Sequence, residues 1–552
     1  MPNATTCADG LLVKIRQGAE TSTLRAIGQR LGTEIQSTQL CQELPWHHIQ
    51  AKNLAGENTA KVFDIAHSLL DIAGILAIEP NLEISRKEEQ KLAEVFDPKT
   101  DCEYAWHIEK VKADVARKQF SVTGENVRVA HLDTGYTEHP ELVIGTAVRE
   151  DLGCNFYEKT GDPREPLNTI EEGHGTATAS VLVGLAGKQH KESDPAYVEG
   201  VAPGAELVPI RVDYTYYWFL NQARDVQGIC HALKQGCQVI SMSRGGPHYD
   251  ALRDAIQLAI SRGTIVVAAA GNCIPRCEDI WSPANYKEVV CAAGSTFDMT
   301  PWEGSSRGPE VTIAAPAWSV YRARTVNKNN AYAFNVERSS GTSYATPIVA
   351  GAAALWIQRH GGAAALAEKL QGVKNIAPSF KYLLGKSAQP GKNWDTEFGP
   401  GILDCVKLLS SDLPKPEDIP KIENDLRKRS NASRGGLAEQ VLSNRIGKSD
   451  DPRAQHLWSL EIEATAIRNP QIESLLAAPT KGKSAKRLAG TNKIAKALAE
   501  NPAISTITTY LEELVPVAHL PPIGGRFWES PRRLVDRLLR YPLRVALLLA
   551  SH

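Results

Sequence analysis

A mostly apolar run, VRVAHLDTG, occupies residues 127–135 and ends in an aspartate, a threonine and a glycine. Its lack of regular polar alternation is typical of a parallel strand that is covered on both faces. Asp133 would then lie at the carboxyl end of that strand, where the binding and catalytic sites of α/β proteins usually lie. The alternative is an ordinary turn after a strand.

Similar runs recur further along the chain and alternate with helical patterns. The strand-like runs are 207–212, 239–242, 264–269 and 289–293, and the helical stretches are 176–185, 226–234, 251–262 and 344–358. This alternation predicts a large α/β domain at 101–408, with a parallel sheet and helices on both faces.

The segments on either side predict smaller units. Residues 1–100 read as a small, ferredoxin-like α+β unit of β-α-β-β-α-β order at about 10–84 together with a charged linker at 85–100. Ser22 is expected to cap its first helix and Gly32 to end it. Residues 409–435 read as a Pro-rich, charged linker, and 436–552 as a mainly helical C-terminal region that includes an Arg-rich stretch at 526–544.

Composition excludes several classes of protein. Lys and Arg number 62 and Asp and Glu 63 among 552 residues, and this balance argues against a nucleic-acid-binding protein. The first ten residues lack the pattern of a signal peptide, and no apolar run reaches the roughly 18 residues that a membrane-spanning helix needs. We therefore expect a cytoplasmic protein with reduced thiols and without a membrane partner.

Three further positions carry chemistry-bearing side chains. His174 stands between two glycines at the start of a helical stretch, Asn272 follows a strand, and Ser343 precedes a long Ala-rich helix in GTSYATP. Each has an ordinary alternative: a helix-start or surface histidine, an Asn in a Gly-Asn turn, and a Ser N-cap. Pro347 is expected in the first turn of the long helix, where its missing N–H is not needed.

Together these residues form a set suited to acyl transfer. A serine hydroxyl needs an imidazole to take its proton and a carboxylate to orient that imidazole. The developing oxyanion needs donors, for which the Ser343 N–H and the Asn272 amide are candidates. An aspartic protease would need two Asp-Thr-Gly carboxylates, and the chain has one.

The blocks VAHLDTG (129–135), GHGT (173–176) and GTSYATP (341–347) resemble, in this order, those of the subtilisin-like serine proteases. GVAPGA (200–205), SSRGP (305–309) and AAP (314–316) extend the resemblance. It implies a subtilisin-like fold and a serine endopeptidase that forms an acyl-enzyme, with Asp133, His174 and Ser343 as its triad and Asn272 as oxyanion donor.

The resemblance also implies a substrate-binding strand and a second pocket wall. The strand comprises Ser241, Met242, Ser243, Arg244, Gly245 and Gly246, and the wall comprises Ala269, Ala270 and Gly271. Arg244 and Tyr344 depart from the apolar residue and the Met that are common at these positions. Arg244 could favour acidic substrate side chains, point to solvent or pair internally.

The N-terminal unit resembles the family's prodomain, which implies an autoprocessed or self-inhibited precursor cut between 85 and 105. The alternative is an unrelated α+β module. No cofactor is required by this interpretation; Ca²⁺ is common in the family, but no ligand set can be assigned here. The expected partner is a protein or peptide substrate, and the C-terminal region could bind a regulatory protein.

Two alternatives stay open at this stage. One is a non-catalytic, subtilase-like scaffold whose function resides in the C-terminal region. The other concerns Cys273 and Cys277, which could be a redox-sensitive pair or two ordinary thiols.

Overall fold

The computed structural model describes most of the chain up to residue 468. The described residues are 6–84, 104–142, 145, 147–167, 173–185, 197–214, 221–272, 280–328, 331–370, 375–389, 395–422, 424 and 451–468. The predicted linker at 85–100, Cys273, Cys277, residues 436–450 and the Arg-rich stretch at 526–544 lie outside them.

The N-terminal unit is an antiparallel sheet with two helices. Its elements are β1 (Thr6–Ile15), α1 (Glu20–Leu31), β2 (Ile35–Gln39), β3 (Trp46–Ala51), α2 (Thr59–Ser68) and β4 (Ile75–Ile84). The strand order is β2-β3-β1-β4, as expected for a ferredoxin-like unit. Gly32 ends α1 in the left-handed conformation, with φ 64°.

The central layer is a parallel sheet formed by seven strands of the described chain, in the order β11-β10-β9-β8-β5-β7-β6. The elements leading into and through this layer are α3 (Trp106–Lys110), α4 (Ala113–Phe120), β5 (Arg128–Asp133), β6 (Cys154–Asn155), α5 (His174–Val183), β7 (Glu206–Arg211), α6 (Gln222–Lys234), β8 (Val239–Met242), α7 (Asp250–Ser261), β9 (Ile265–Ala269), β10 (Val290–Ser295) and β11 (Val311–Pro316). The prediction of a parallel α/β sheet is confirmed.

The remaining described elements complete the α/β domain and extend beyond it. They are a hairpin of β12 (Val320–Lys328) and β13 (Ala331–Ser339), and the helices α8 (Thr342–Arg359), α9 (Ala363–Lys369), α10 (Ala377–Ser387), α11 (Cys405–Ser410) and α12 (Pro452–Arg468). Helix α8 is buried on all sides from Thr342 to Ile357 and packs against β8, β9, β10 and β11. Within the described residues, no helix has the length and apolar character that crossing a bilayer requires.

Two local predictions are corrected. Helix α1 begins at Glu20, so Ser22 does not cap it; its hydroxyl donates to Ala19 O inside the first turn, at 3.0 Å. Helix α8 begins at Thr342, which places Pro347 beyond the first turn.

The thiol prediction also needs correction, because Cys41 and Cys230 form a disulfide. Cys41 belongs to the N-terminal unit and Cys230 to α6, and 189 positions separate them in the sequence. Only the tertiary structure brings such distant residues together, so their spacing gave no signal of the pairing.

The N-terminal unit contacts helix α6 through β4 and docks on helix α7. The Glu79 carboxylate accepts hydrogen bonds from Asp250 N at 2.6 Å and Ala251 N at 3.2 Å, at the start of α7. Trp46 Nε1 donates to the Asp254 carboxylate at 2.7 Å. A buried carboxylate at a helix N-terminus accepts hydrogen bonds from free N–H groups and interacts favourably with the positive end of the helix dipole. Both effects stabilise this docking.

Helix α12, in the C-terminal region, lies against the N-terminal unit. It packs on α2 and β4, and Arg453 donates to Ile75 O at 2.9 Å. On the other side, Glu463 accepts a hydrogen bond from His248 N at 3.0 Å. Helix α12 thus contacts both the N-terminal unit and the α/β domain.

Helix α8 should be the main source of stability in the α/β domain. Trp356 is fully buried, and its ring lies 5.2 Å from that of Phe380 between centroids. We expect Trp356→Ala to lower the free energy of unfolding by about 3–5 kcal/mol, because it leaves a cavity that the close-packed surroundings cannot fill. Urea unfolding measures this loss.

Val115→Ala is the control, since Val115 is 46% exposed. It should change the free energy of unfolding by no more than about 0.5 kcal/mol. Equal effects of the two substitutions would contradict the central role of α8.

Candidate active site

Asp133 and His174 are hydrogen-bonded at the carboxyl edge of the sheet. Asp133 is the last residue of β5 and His174 the first of α5, and His174 Nδ1 lies 2.7 Å from Asp133 Oδ1. Both side chains are buried, at 0% and 7% exposure. A carboxylate in this place fixes the orientation of the imidazole and holds the proton on Nδ1.

The charge of Asp133 is favoured despite its burial. Burial by itself would raise the pKa of this carboxyl group, but the attraction and hydrogen bond of His174 outweigh it and lower the pKa to about 2. Thr134 N donates a further hydrogen bond to the same Oδ1 at 2.7 Å. Asp133 therefore stays ionised throughout the neutral range.

A close backbone approach seats the helix that carries His174. A side chain at position 175 would collide with the carbonyl oxygen of Gly135, so only glycine fits between His174 and the turn after β5. Gly175 N also donates to Thr134 Oγ1 at 3.0 Å. These contacts set the distance between the strand of Asp133 and the helix of His174.

Glu165 is a buried residue of the site that sequence reasoning missed. Its carboxyl group accepts from Gly173 N at 3.0 Å and from Thr134 Oγ1 at 3.1 Å, so it touches the neighbours of both Asp133 and His174. Burial raises the pKa of Glu165 to about 8. No motif surrounds this glutamate, and its burial depends on the fold.

Ser343 lies at the second position of α8, where backbone N–H groups are unpaired within the helix. Pro347 cannot supply the N–H that would normally bond to the Ser343 carbonyl, four residues earlier. The Ser243 hydroxyl takes that place and donates to Ser343 O at 2.9 Å, while Ser343 Oγ donates to Ser243 O at 3.4 Å. This pair ties the start of α8 to the chain that leaves β8.

Asn272 is held beside the same helix start. Its Oδ1 accepts from Thr342 N at 3.0 Å and from Thr342 Oγ1 at 2.9 Å, which directs its NH₂ group away from Thr342. A Cβ built on Gly341 would lie 3.7 Å from Ser343 N and 3.8 Å from Asn272 Nδ2. Ser343 N and Asn272 Nδ2 therefore both lie near the open side of Gly341.

The predicted strand and wall lie on neighbouring strands. Ser241 and Met242 end β8, which pairs in parallel with β5 and β9, and Ala269 ends β9. Gly246 forms a bridge with Ser282, with hydrogen bonds of 2.9 and 3.1 Å. Ala270 follows β9 and accepts from Trp281 N at 3.4 Å.

Trp281 is a second residue that the sequence analysis missed. Side chains built on Gly245 and on Gly271 would each meet the Trp281 side chain, so this residue contacts both predicted segments. Its indole adds apolar surface where the two segments face each other. It follows the segment 273–279 and lies in none of the recognisable blocks.

Arg244 pairs internally, which is one of the three alternatives left by the sequence. Its side chain is fully buried, Nη2 lies 3.3 Å from Asp213 Oδ2, and Nε lies 3.5 Å from Asp225 Oδ1. The two carboxylates offset its charge. The hypothesis that Arg244 attracts acidic substrate side chains therefore loses its physical basis.

One group of side chains in the described residues has the composition of a metal site: His248, Asp250 and His456. It lies at the start of α7 and on α12, away from the Asp133–His174 pair in sequence and in element. A group of carboxylates suited to Ca²⁺ is not among the clusters found in the described residues.

Comparisons with known proteins match this chain to one protein family and to several of its members. The model of the subtilase family matches residues 124–401. The major intracellular serine protease of Bacillus subtilis (strain 168) is 32% identical over 248 residues, which cover 42% of this chain and 69% of that protein. Subtilisin Savinase of Lederbergia lenta is 34% identical over 257 residues, covering 46% and 84% respectively.

Among solved structures, fervidolysin from Fervidobacterium pennivorans, described as a keratinolytic enzyme related to subtilisin, matches with a TM-score of 0.51 and 20% identity. The match covers 75% of this chain and 62% of fervidolysin. At this identity the likeness concerns the fold.

The burial of Glu165 predicts a specific dependence of stability on pH. Its pKa is about 8 in the folded chain, against 4.5 when exposed. The folded state therefore retains a proton that the unfolded state releases between these values, and this contribution to stability decreases as the pH rises from about 4.5 to about 8. Glu165→Gln should remove this part of the dependence of the unfolding free energy on pH. Urea midpoints measured from about pH 4.5 to about pH 8 give this slope.

Glu368→Gln is the matched control, because Glu368 is exposed. It should leave the slope as in the parent chain. An unchanged slope in Glu165→Gln would mean that Glu165 does not exchange its proton on unfolding.

Proposed function

Because the chain belongs to the subtilase family, whose characterised relatives are serine proteases, we propose that Asp133, His174 and Ser343 form its catalytic triad. The observation that carries this proposal is the 2.7 Å hydrogen bond between His174 Nδ1 and the ionised, buried Asp133. That bond leaves Nε2 as the nitrogen that can act as base.

The reaction proceeds in two halves. His174 Nε2 takes the proton of Ser343 Oγ as this oxygen attacks the carbonyl carbon of the scissile peptide bond, and then gives the proton to the leaving amine. In the second half, His174 takes a proton from a water molecule as the water oxygen attacks the acyl carbon, and then gives this proton to Ser343 Oγ as the bond between Oγ and the acyl carbon breaks. Asp133 stabilises the imidazolium in both halves without accepting the proton.

The oxyanion is stabilised by the two donors that border Gly341. Ser343 N lies in the first turn of α8, where the helix dipole favours negative charge. Asn272 Nδ2 is directed by the two hydrogen bonds that its Oδ1 accepts from Thr342. Because both groups are already oriented, little reorganisation is needed as the charge develops.

The substrate is proposed to bind as an extended peptide along Ser243–Gly246. Strand addition would use backbone hydrogen bonds for affinity and pockets for specificity. Trp281, between this segment and Ala269–Gly271, would then form part of the pocket for the side chain before the scissile bond.

The N-terminal unit is proposed to act as an inhibitory prodomain. Its docking on α6 and α7 supports this role, because these helices flank β8, from which the proposed substrate-binding segment continues. Cleavage between residues 85 and 105 would separate the unit from the peptidase in the chain. The disulfide between Cys41 and Cys230 would still join the two parts.

A fluorophosphonate probe tests the nucleophile. The intact chain should be labelled, and Ser343→Ala should not be labelled, because the probe reacts with a serine that a base activates. Asn272→Ala should lower kcat on a peptide substrate by about 10²–10³-fold, the range known for loss of such a donor in subtilisin. Labelling and initial rates are the measurements.

Ser410→Ala, on the exposed side of α11, is the control and should be labelled like the parent chain. Labelling that persists in Ser343→Ala would reject Ser343 as the nucleophile.

Denaturing gel electrophoresis with and without reductant tests the proposed cleavage of the N-terminal unit. The active chain should be cut at 85–105, yet its N-terminal fragment should separate only after reduction, because the Cys41–Cys230 bond retains it. Cys41→Ser should release the fragment without reductant, and Ser343→Ala should stay full length.

The matched control is Cys7→Ser, because Cys7 is an unpaired cysteine of the same unit. Its fragment should still need reductant. Release of the parent fragment under non-reducing conditions would contradict the tether, whereas cleavage of Ser343→Ala would contradict autoprocessing.

A further inference from the structure

We propose that His248, Asp250 and His456 form a binding site for one divalent transition-metal ion, with Zn²⁺ as the fitting example. The site lies where the α/β domain, the N-terminal unit and helix α12 meet. It is separate from the proposed catalytic residues and does not depend on the proposed function.

The three side chains converge at suitable distances. His248 Nε2 lies 3.4 Å from Asp250 Oδ1, and His456 Nε2 lies 4.0 Å from Asp250 Oδ2. The ligand atoms of all three residues lie within 4.8 Å of one another. A tetrahedral Zn²⁺ about 2.0–2.1 Å from each ligand sets such atoms roughly 3.4 Å apart, so small side-chain rotations close the site.

A fourth ligand stands beside the three. Glu79 Oε1 lies 2.6 Å from His456 Nε2, and this carboxylate is fully buried. It is already oriented by the hydrogen bonds it accepts from Asp250 N and Ala251 N. Binding of the ion by His456 Nε2 would replace this hydrogen bond, and Glu79 would then complete the coordination as the fourth ligand.

The donor set selects the class of ion. Two imidazoles with one or two carboxylates suit Zn²⁺ and related transition ions, whereas Ca²⁺ and Mg²⁺ require mainly oxygen ligands. The side chains of His248 and Asp250 are 32% and 39% exposed, so an ion can reach the site from solvent. The side chain of His456 is 16% exposed and forms the inner wall of the site.

The ion would join parts of the chain that are distant in sequence. His248 and Asp250 stand at the start of α7, whereas His456 is on α12, whose Glu463 also accepts from His248 N. Glu79 belongs to β4 of the N-terminal unit. Coordination would therefore fasten α12 to the α/β domain across the edge of the N-terminal unit.

The test uses the full-length Ser343→Ala chain, which cannot cut itself by the proposed mechanism, stripped of metal by a chelator. Titration with Zn²⁺ against a chromophoric competitor should give one ion per chain. His248→Ala and Asp250→Asn should each weaken the affinity by at least about tenfold. Co²⁺ should give the visible absorption of a tetrahedral site, and excess Ca²⁺ should not displace Zn²⁺.

Zn²⁺ should also raise the thermal midpoint of this chain, because it binds the folded state, and the same Zn²⁺ concentration should raise that of His248→Ala less. His47→Ala is the matched control, since His47 is a partly buried histidine of the N-terminal unit outside the cluster. It should keep the parent affinity.

Near-UV circular dichroism checks that the variants are folded. Absence of stoichiometric Zn²⁺, or equal affinity in the parent, His248→Ala and Asp250→Asn chains, would overturn the proposal. The cluster would then be a network of ion pairs only.

Discussion

The burial of helix α8 is the constraint on which the rest of the structure depends. A helix that is apolar on all faces can be stable in water only if other elements surround it completely. The parallel strands β8–β11 cover one side of α8, and α5 packs on another. Because the helix starts at the carboxyl edge of the sheet, the same burial brings Ser343 to the edge where β5 presents Asp133.

Packing brings the site residues to one edge of the sheet, and hydrogen bonds then fix their positions. Pro347 removes one N–H from α8, and the Ser243 hydroxyl compensates by bonding to the Ser343 carbonyl. Thr342 fixes Asn272, and Asp133 fixes His174. Each of these contacts joins a residue at or shortly after the end of a strand to one at the start of a helix, so the accuracy of the site derives from rigid elements.

The sequence alone predicted the parallel sheet and the residues at its edge, because both follow from local patterns. Asp133 ends an apolar run and His174 opens a helical one, and these positions depend little on the rest of the chain. Glu165 and Trp281 could not be predicted in this way, since their importance arises from neighbours that the fold supplies. The same applies to Cys41 and Cys230.

The disulfide has a consequence for how the proposed inhibition would respond to concentration. A cleaved inhibitor that is free in solution dissociates as the enzyme is diluted, whereas one held by Cys41–Cys230 meets its binding surface at an effective concentration set by the linkage alone. Dilution would then leave the occupied fraction unchanged. Secretion, dispersal or low expression would not by themselves switch such a protease on; cleavage of one sulfur–sulfur bond would first have to make the inhibition sensitive to dilution.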